Sequence, residues 1–174
     1  MIITIGGLAG TGTSTAAKIL SQKLDIPFNS AGDVFRTLAV EHNMDLIQFN
    51  EFAEGNDEID KALDKKQAEI AASADDLIVE GRLSAHFCDA DYRIWLMAPD
   101  NIRAERICYR EDKDMDTVKR EIKERTSSER KRYMDIHNID IDDLSIYDLI
   151  INTGSFDEEA TVELIIDCIN KKNK

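Results

Sequence analysis

The first fifteen residues constrain this chain more than any other stretch. An apolar, β-branched run, Ile2-Ile3-Thr4-Ile5, breaks into Gly6-Gly7-Leu8-Ala9-Gly10-Thr11-Gly12. It restarts at Thr13-Ser14-Thr15 as an alanine-rich helical pattern reaching Leu24. Gly7, Gly12, Thr13 and Ser14 fall at the spacing G-x-x-x-x-G-K-[ST], whose glycines let successive backbone N–H groups converge on a phosphate at a helix N-terminus. Position 13 departs from the pattern: it holds threonine, where a lysine normally reaches the outer phosphates as a point charge. The backbone cradle does not need that lysine, and strand, glycine turn and helix are the context the motif requires. Gly7, Leu8, Ala9, Gly10, Thr11, Gly12, Thr13, Ser14 and Thr15 are therefore the expected phosphate-binding loop. The bland alternative is an ordinary glycine-rich turn. A dinucleotide fingerprint fits less well, because Gly10-x-Gly12 continues to Thr15 rather than to glycine and no acidic residue ends the second strand pattern.

With 174 residues, 43% of them hydrophobic and 33% charged, the chain suits a single compact domain. The net charge of −13 argues against a nucleic-acid or anionic-membrane surface, since both need a basic footprint. An anionic ligand must then be held by local positive charge, which is available where arginines cluster between residues 103 and 132. Cys88, Cys108 and Cys168 are odd in number and far apart, so they suggest buried small hydrophobes rather than disulfides or a zinc site. No basic leader and no apolar run of roughly 18 residues is present. The expectation is a cytoplasmic monomer.

Along the chain, 26–30 reads as a short strand followed by a helix that carries Arg36 in its first turns. Ligands of open α/β sheets bind beyond the carboxyl ends of the strands, so Arg36 stands where it can meet an anion. Residues 44–73 show no strand signal; Leu46, Phe49 and Phe52 mark one helix and Ile59, Leu63, Gln67, Ile70 and Ala71 a second. Thirty residues exceed a simple crossover, which points to a helical insertion able to move. Leu77-Ile78-Val79-Glu80 is a buried strand ending in a carboxylate, which makes Glu80 a candidate to orient waters on a phosphate-bound Mg²⁺ and Ser14 a candidate direct ligand. A fourth strand spans 92–98. On the helix after it, Arg103, Arg106 and Arg110 share a face, an arrangement that repels itself unless an anion meets it.

On the helix expected at 116–134, Met115, Val118 and Ile122 form an apolar stripe that continues at helical spacing through Arg125, Glu129 and Arg132 to Ile136. Buried unpaired charge is costly, so such a face belongs over a polar site, as a lid. A solvated charged helix is the alternative. A fifth strand at 148–152 and a last helix at 157–171 complete a doubly wound α/β sheet of five parallel strands.

Together with the glycine loop, Ser-Ala-Gly-Asp-Val-Phe-Arg (30–36), Glu-Gly-Arg (80–82), Glu-Arg-Thr-Ser-Ser-Glu-Arg-Lys-Arg-Tyr (124–133) and the block 139–148 resemble nucleoside monophosphate kinases, most of all the archaeal type of cytidylate kinase. The resemblance covers nearly the whole chain. It implies a three-layer P-loop kinase fold with core 1–30, 75–110 and 138–174, an NMP-binding insertion at 31–74 and a short lid at 111–137. That family carries threonine at the lysine position too, so the resemblance makes Thr13 a family mark. It also implies ATP as co-substrate, Mg²⁺, and phosphorylation of CMP and dCMP. By position, Ser30, Asp33, Arg36, Arg82, Glu129 and Arg132 would bind the acceptor: Arg36, Arg82 and Arg132 its phosphate, Arg125 and Glu129 its ribose. Arg106, Arg125 and Arg132 would be the catalytic cations. Leu83 departs from bacterial cytidylate kinases, which carry an aspartate there that helps read cytosine. The 30–36 segment resembles adenylate kinases equally, so adenylate or another small-molecule kinase is a second reading. A regulatory nucleotide binder without transfer activity is a third.

Overall fold

A computed structural model describes residues 1–53 and 55–172, without the side chains of Leu46, Ile47, Asn50 and Lys172. In chain order the elements are β1 (Ile2–Gly7), α1 (Thr13–Leu24), β2 (Phe28–Ser30), α2 (Ala31–Glu41), α3 (Leu46–Ala53), α4 (Asp57–Ala72), β3 (Leu77–Glu80), α5 (Ser84–Phe87), β4 (Tyr92–Met97), α6 (Asp100–Glu111), α7 (Met115–His137), β5 (Leu149–Asn152) and α8 (Glu158–Lys172). The five strands are all parallel, in the order β2-β3-β1-β4-β5. The chain runs outward from β1 to one edge and then to the other, so its direction of winding reverses beside β1. The crevice at such a reversal, at the carboxyl ends of the strands, is where α/β sheets place ligands.

Alternation along the strands builds three layers. Ile3 and Ile5 of β1, with Ile78, Ile94 and Leu96, pack against Ala16, Ala17 and Leu20 of α1 and Val162, Ile165 and Ile169 of α8. Ile2, Leu77 and Val79 point to the opposite face, where they meet Ala71 of α4, Cys88 and Ala90. Further along that face Trp95 packs with Leu83, Tyr133 and Ile141. Side chains one residue apart on a strand face opposite ways, so a run of buried apolar residues serves two layers at once.

The long segment after β2 forms three helices with a small core of their own, Val34, Leu38, Ala39, Phe49 and Ile59. The side chain of Leu46, expected to mark α3, lies outside the described residues. Helices α6 and α7 pack through Ala104, Ile107, Val118 and Ile122. The short helix α5 carries no sequence signal, being a single turn whose periodicity four residues cannot express. Of the three cysteines only Cys88 is fully buried, and all three are free.

The stripe on α7 differs from the sequence expectation. The buried positions are Val118, Ile122, Thr126, Glu129 and Tyr133, whereas the side chains of Arg125 and Arg132 are 56% and 42% exposed. Glu129 is therefore the one charge of the expected set that turns inward, with the two arginines flanking it. A step of three or four residues leaves a choice at every turn, and packing against the 80–87 segment made that choice.

Candidate active site

The loop between β1 and α1 is shaped for an anion. Gly12 precedes α1 at φ 90°, offers no side chain to cap the helix, and Gly10 also sits at positive φ, 84°. L side chains avoid this region, so both positions call for glycine. The first N–H groups of α1 consequently lack a side-chain partner and face a cleft of about 660 Å³. Unsatisfied N–H groups and the positive end of a helix dipole make this an anion site.

That cleft is lined by residues 7–16 from the loop and first turn of α1, by Glu80 and Arg82 at the end of β3, by Arg106 and Arg110 of α6 and by Arg125 of α7. Thr13 Oγ1 donates to Glu80 Oε1 at 2.7 Å, so the hydroxyl in the lysine position ties the loop to β3. Arg106 donates to Thr153 Oγ1 at 2.9 Å, to Thr153 O at 2.7 Å and to Gly10 O at 3.3 Å. Thr153 in turn donates to Thr11 O at 2.9 Å, so β5, α6 and the loop share one hydrogen-bonded unit.

Arg103 behaves differently from its neighbours on α6. Only 3% exposed, it donates through Nε to Ala9 O at 2.7 Å and through Nη1 to Asp100 at 2.9 Å. It braces the loop from behind and does not line the cleft. Of the three arginines expected to meet an anion from one face, Arg106 and Arg110 do line it. Burial pulls the Arg103 guanidinium below the usual arginine value, against the pull of Asp100.

Glu129 is 6% exposed and bridges two arginines, with Arg82 Nε at 2.8 Å and Arg125 Nε at 2.9 Å. A buried carboxylate between two guanidiniums fixes both and leaves their outer N–H groups for a ligand. Ser30 and Asp33 form a capping box on α2: Asp33 N donates to Ser30 Oγ at 3.1 Å and Ser30 N to Asp33 Oδ2 at 3.3 Å, and Ser30 Oγ also donates to Asp33 Oδ2 at 2.7 Å. Asp33 also accepts from the exposed Arg36. The Ser30 hydroxyl first and Arg36 second hold the Asp33 carboxyl below its usual range. Arg132 pairs with Asp60 of α4 at 3.1 Å.

Of the residues expected from the sequence, the loop 7–15, Glu80, Arg82, Arg106 and Arg125 line one cleft, and Glu129 joins them through its two arginines. Ser30, Asp33, Arg36 and Arg132 are not among its lining residues. The sequence reading did not single out Thr153, Tyr109, Phe156 and Thr161, which also line the cleft. Thr153 follows β5 directly and could have been found by its place at a strand's carboxyl end. Tyr109, 94% exposed, and Phe156, 45% exposed, carry no such signal.

Ser14 and Glu80 line the same cleft as the anion site, and among the described residues no group of three or more His, Cys, Asp or Glu side chains could hold a metal alone. This donor set fits Mg²⁺, which keeps several waters and takes one or two protein oxygens beside substrate phosphates.

The cytidylate kinase-like family profile matches residues 2–155. A cytidylate kinase of Methanosphaera stadtmanae is 73% identical over 172 residues, covering 99% of both chains, and one of Methanobrevibacter smithii is 59% identical over 95% of this chain and 96% of its own. Among solved structures, shikimate kinase from Bacteroides thetaiotaomicron aligns over 98% of both chains with a TM-score of 0.63 at 16% identity, a likeness of fold alone. By profile match and by full-length identity, this chain belongs to the cytidylate kinase-like family.

Proposed function

We propose that this chain transfers the γ-phosphoryl group of ATP to CMP, and to dCMP, giving ADP and the nucleoside diphosphate. The observation that carries the reading is the convergence of an uncapped helix N-terminus with Arg82, Arg106 and Arg125 on one cleft. A passive nucleotide binder has no need of three arginines beyond the phosphate loop. The curated relatives named cytidylate kinase support the choice of CMP.

Phosphoryl transfer asks little covalent chemistry of a protein; it asks for in-line placement and for cations where charge spreads over the transferring oxygens. Residues 7–15 cradle the donor phosphates through backbone N–H groups. Arg36, Arg82 and Arg132 hold the acceptor phosphate, with Ser30 and Asp33 setting Arg36, and Glu129 and Arg125 face the ribose. Arg106, with Arg125 and Arg132, supplies the charge that Thr13 does not. Mg²⁺, held by Ser14 and oriented by Glu80, would neutralise the donor phosphates when bound.

In this reading the insertion at 31–74 and the lid at 111–137 close over the cleft and exclude water, which prevents idle ATP hydrolysis. Arg132 and Asp60 belong to one segment each, so their pairing supports that closure. One chain supplies every group named, which supports an enzyme working as a monomer; no helix among the described residues is long and apolar enough to cross a membrane. A coupled assay for ADP release with CMP, dCMP, UMP and AMP tests the function. CMP and dCMP should be the fastest acceptors; AMP as the best acceptor, or no transfer to CMP, refutes it.

A further inference from the structure

Between α4 and α7 lies a polar cluster that the phosphate chemistry leaves unused. His137 Nε2 is 3.1 Å from Asp64 Oδ2, with the two side chains 10% and 14% exposed. The contact lacks hydrogen-bond geometry, and His137 Nε2 is a buried atom with no hydrogen-bond partner. Phe87 meets the imidazole edge-on at 4.9 Å between centroids. Buried polar groups are nearly always satisfied, so a buried ring nitrogen without a bond, beside a carboxylate, calls for a third party.

Their position suggests which one. Gln67 Nε2 donates to Glu80 O at 3.0 Å, which pins α4 to the end of β3 beside Arg82. Asp64 lies one helical turn, about 5 Å, back along α4 from Gln67. Asp60, a further turn away, pairs with Arg132. The cluster thus adjoins Arg132, assigned to the acceptor phosphate, whose field reaches Asp64. Leu83, next to Arg82, is 4% exposed and packed on Trp95, Tyr133 and Ile141, so it brings no polar group to a base.

We propose that Asp64 and His137 read the pairing edge of the acceptor's cytosine: the Asp64 carboxyl accepts from the 4-amino group, and Nε2–H of His137 donates to N3. This rests on the CMP kinase reading above and deepens it. The aromatic edge of Phe87 and the low exposure of both groups keep water from substituting for the base. Uracil reverses both partners, setting O4 against a carboxyl oxygen and N3–H against a donor. Adenine presents the same donor and acceptor pair as cytosine, so rejection of AMP falls to ring size. Burial, reinforced by Asp60 and opposed by Arg132, pushes the Asp64 carboxyl up to about 7, and a 4-amino donor would favour its ionised, accepting form.

The test compares CMP, UMP and the pyrimidin-2-one ribonucleoside monophosphate, which lacks the 4-amino group, in wild type and Asp64→Asn. An amide offers either its oxygen or its NH₂ by rotation, so Asp64→Asn should lower the CMP-to-UMP ratio of kcat/KM by at least about 30-fold. Wild type should show a KM for the amino-less acceptor at least about tenfold above that for CMP, and Asp64→Ala, which has no acceptor left, should lose that sensitivity. A merely structural Asp64 moves neither ratio. The substrate comparison in wild type stands even if the variant fails to fold. Wild type that transfers to CMP but treats both pyrimidines alike, or a folded variant with an unchanged ratio, overturns the inference and spares the kinase reading. No transfer to CMP by wild type overturns both.

Discussion

Replacing Arg106 with alanine separates a catalytic cation from a structural one by magnitude. In the structure the guanidinium makes three hydrogen bonds, two to Thr153 and one to Gly10 O. The side chain sits on an exposed position of α6, so water can take over the freed carbonyls. The Thr153 hydroxyl keeps its bond to Thr11 O. The net cost to stability is then about 1–3 kcal/mol, up to roughly 1 kcal/mol for each of the three exchanged hydrogen bonds. For a domain stable by roughly 5–15 kcal/mol, that loss leaves essentially every molecule folded. In a chain of this length each kcal/mol lowers Tm by about 2–4 °C. A cation aimed at charge that develops during transfer is worth about 3 kcal/mol, or roughly a hundredfold in kcat. The two effects are read apart in one preparation, by coupled turnover with saturating ATP and CMP and by thermal unfolding. A hundredfold fall in kcat in a protein that is still fully folded at the assay temperature is expected. Turnover within about threefold of wild type refutes the assignment of Arg106 and leaves the phosphate loop without a substitute for its lysine at that position.

Three other outcomes follow from the same geometry. Glu80→Gln keeps the acceptance of the Thr13 hydroxyl but removes a charge near the expected metal, so the Mg²⁺ concentration for half-maximal rate should rise about tenfold; an unchanged Mg²⁺ titration removes Glu80 from the metal site. Gly10→Ala adds a Cβ at φ 84° that would sit 2.8 Å from Arg103 O, and urea unfolding should show a loss of about 1–3 kcal/mol, whereas a neutral result contradicts the loop conformation. For Asp64, a carboxyl raised from 3.8 to about 7 binds more protons folded than unfolded, so its contribution to stability falls as pH rises from about 4 to 7. The difference is worth roughly 4 kcal/mol. Asp64→Asn, always neutral, should therefore gain on wild type across that window in urea midpoints, and a flat difference refutes the burial of a charge there.

The sequence by itself determined the sheet and the loop. Strand periodicity is local, each buried run is bounded by turn residues, and the glycines at 10 and 12 answer a backbone demand that no neighbour alters. The family likeness added Arg82 as a candidate and gave roles to Arg36, Arg125 and Arg132, yet the partners of Arg82 and Arg132, Glu129 and Asp60, lie far off in the chain. Arg103, Arg106 and Arg110 look equivalent on a helical wheel, and only the packing of α6 against the loop made Arg103 a brace and left Arg106 and Arg110 on the cleft. On α7 the choice between Arg125 and Thr126, or Arg132 and Tyr133, as the inward residue was decided by the 80–87 segment beneath it, leaving Glu129 buried between two arginines. Thr153 reached Arg106 only because β4 and β5 pair in register beside the loop. Likewise Asp64 and His137, 73 residues apart in sequence, face each other only once both helices are docked. Backbone geometry is written in neighbouring residues; the meeting of side chains depends on how whole elements pack, and that is settled only in three dimensions.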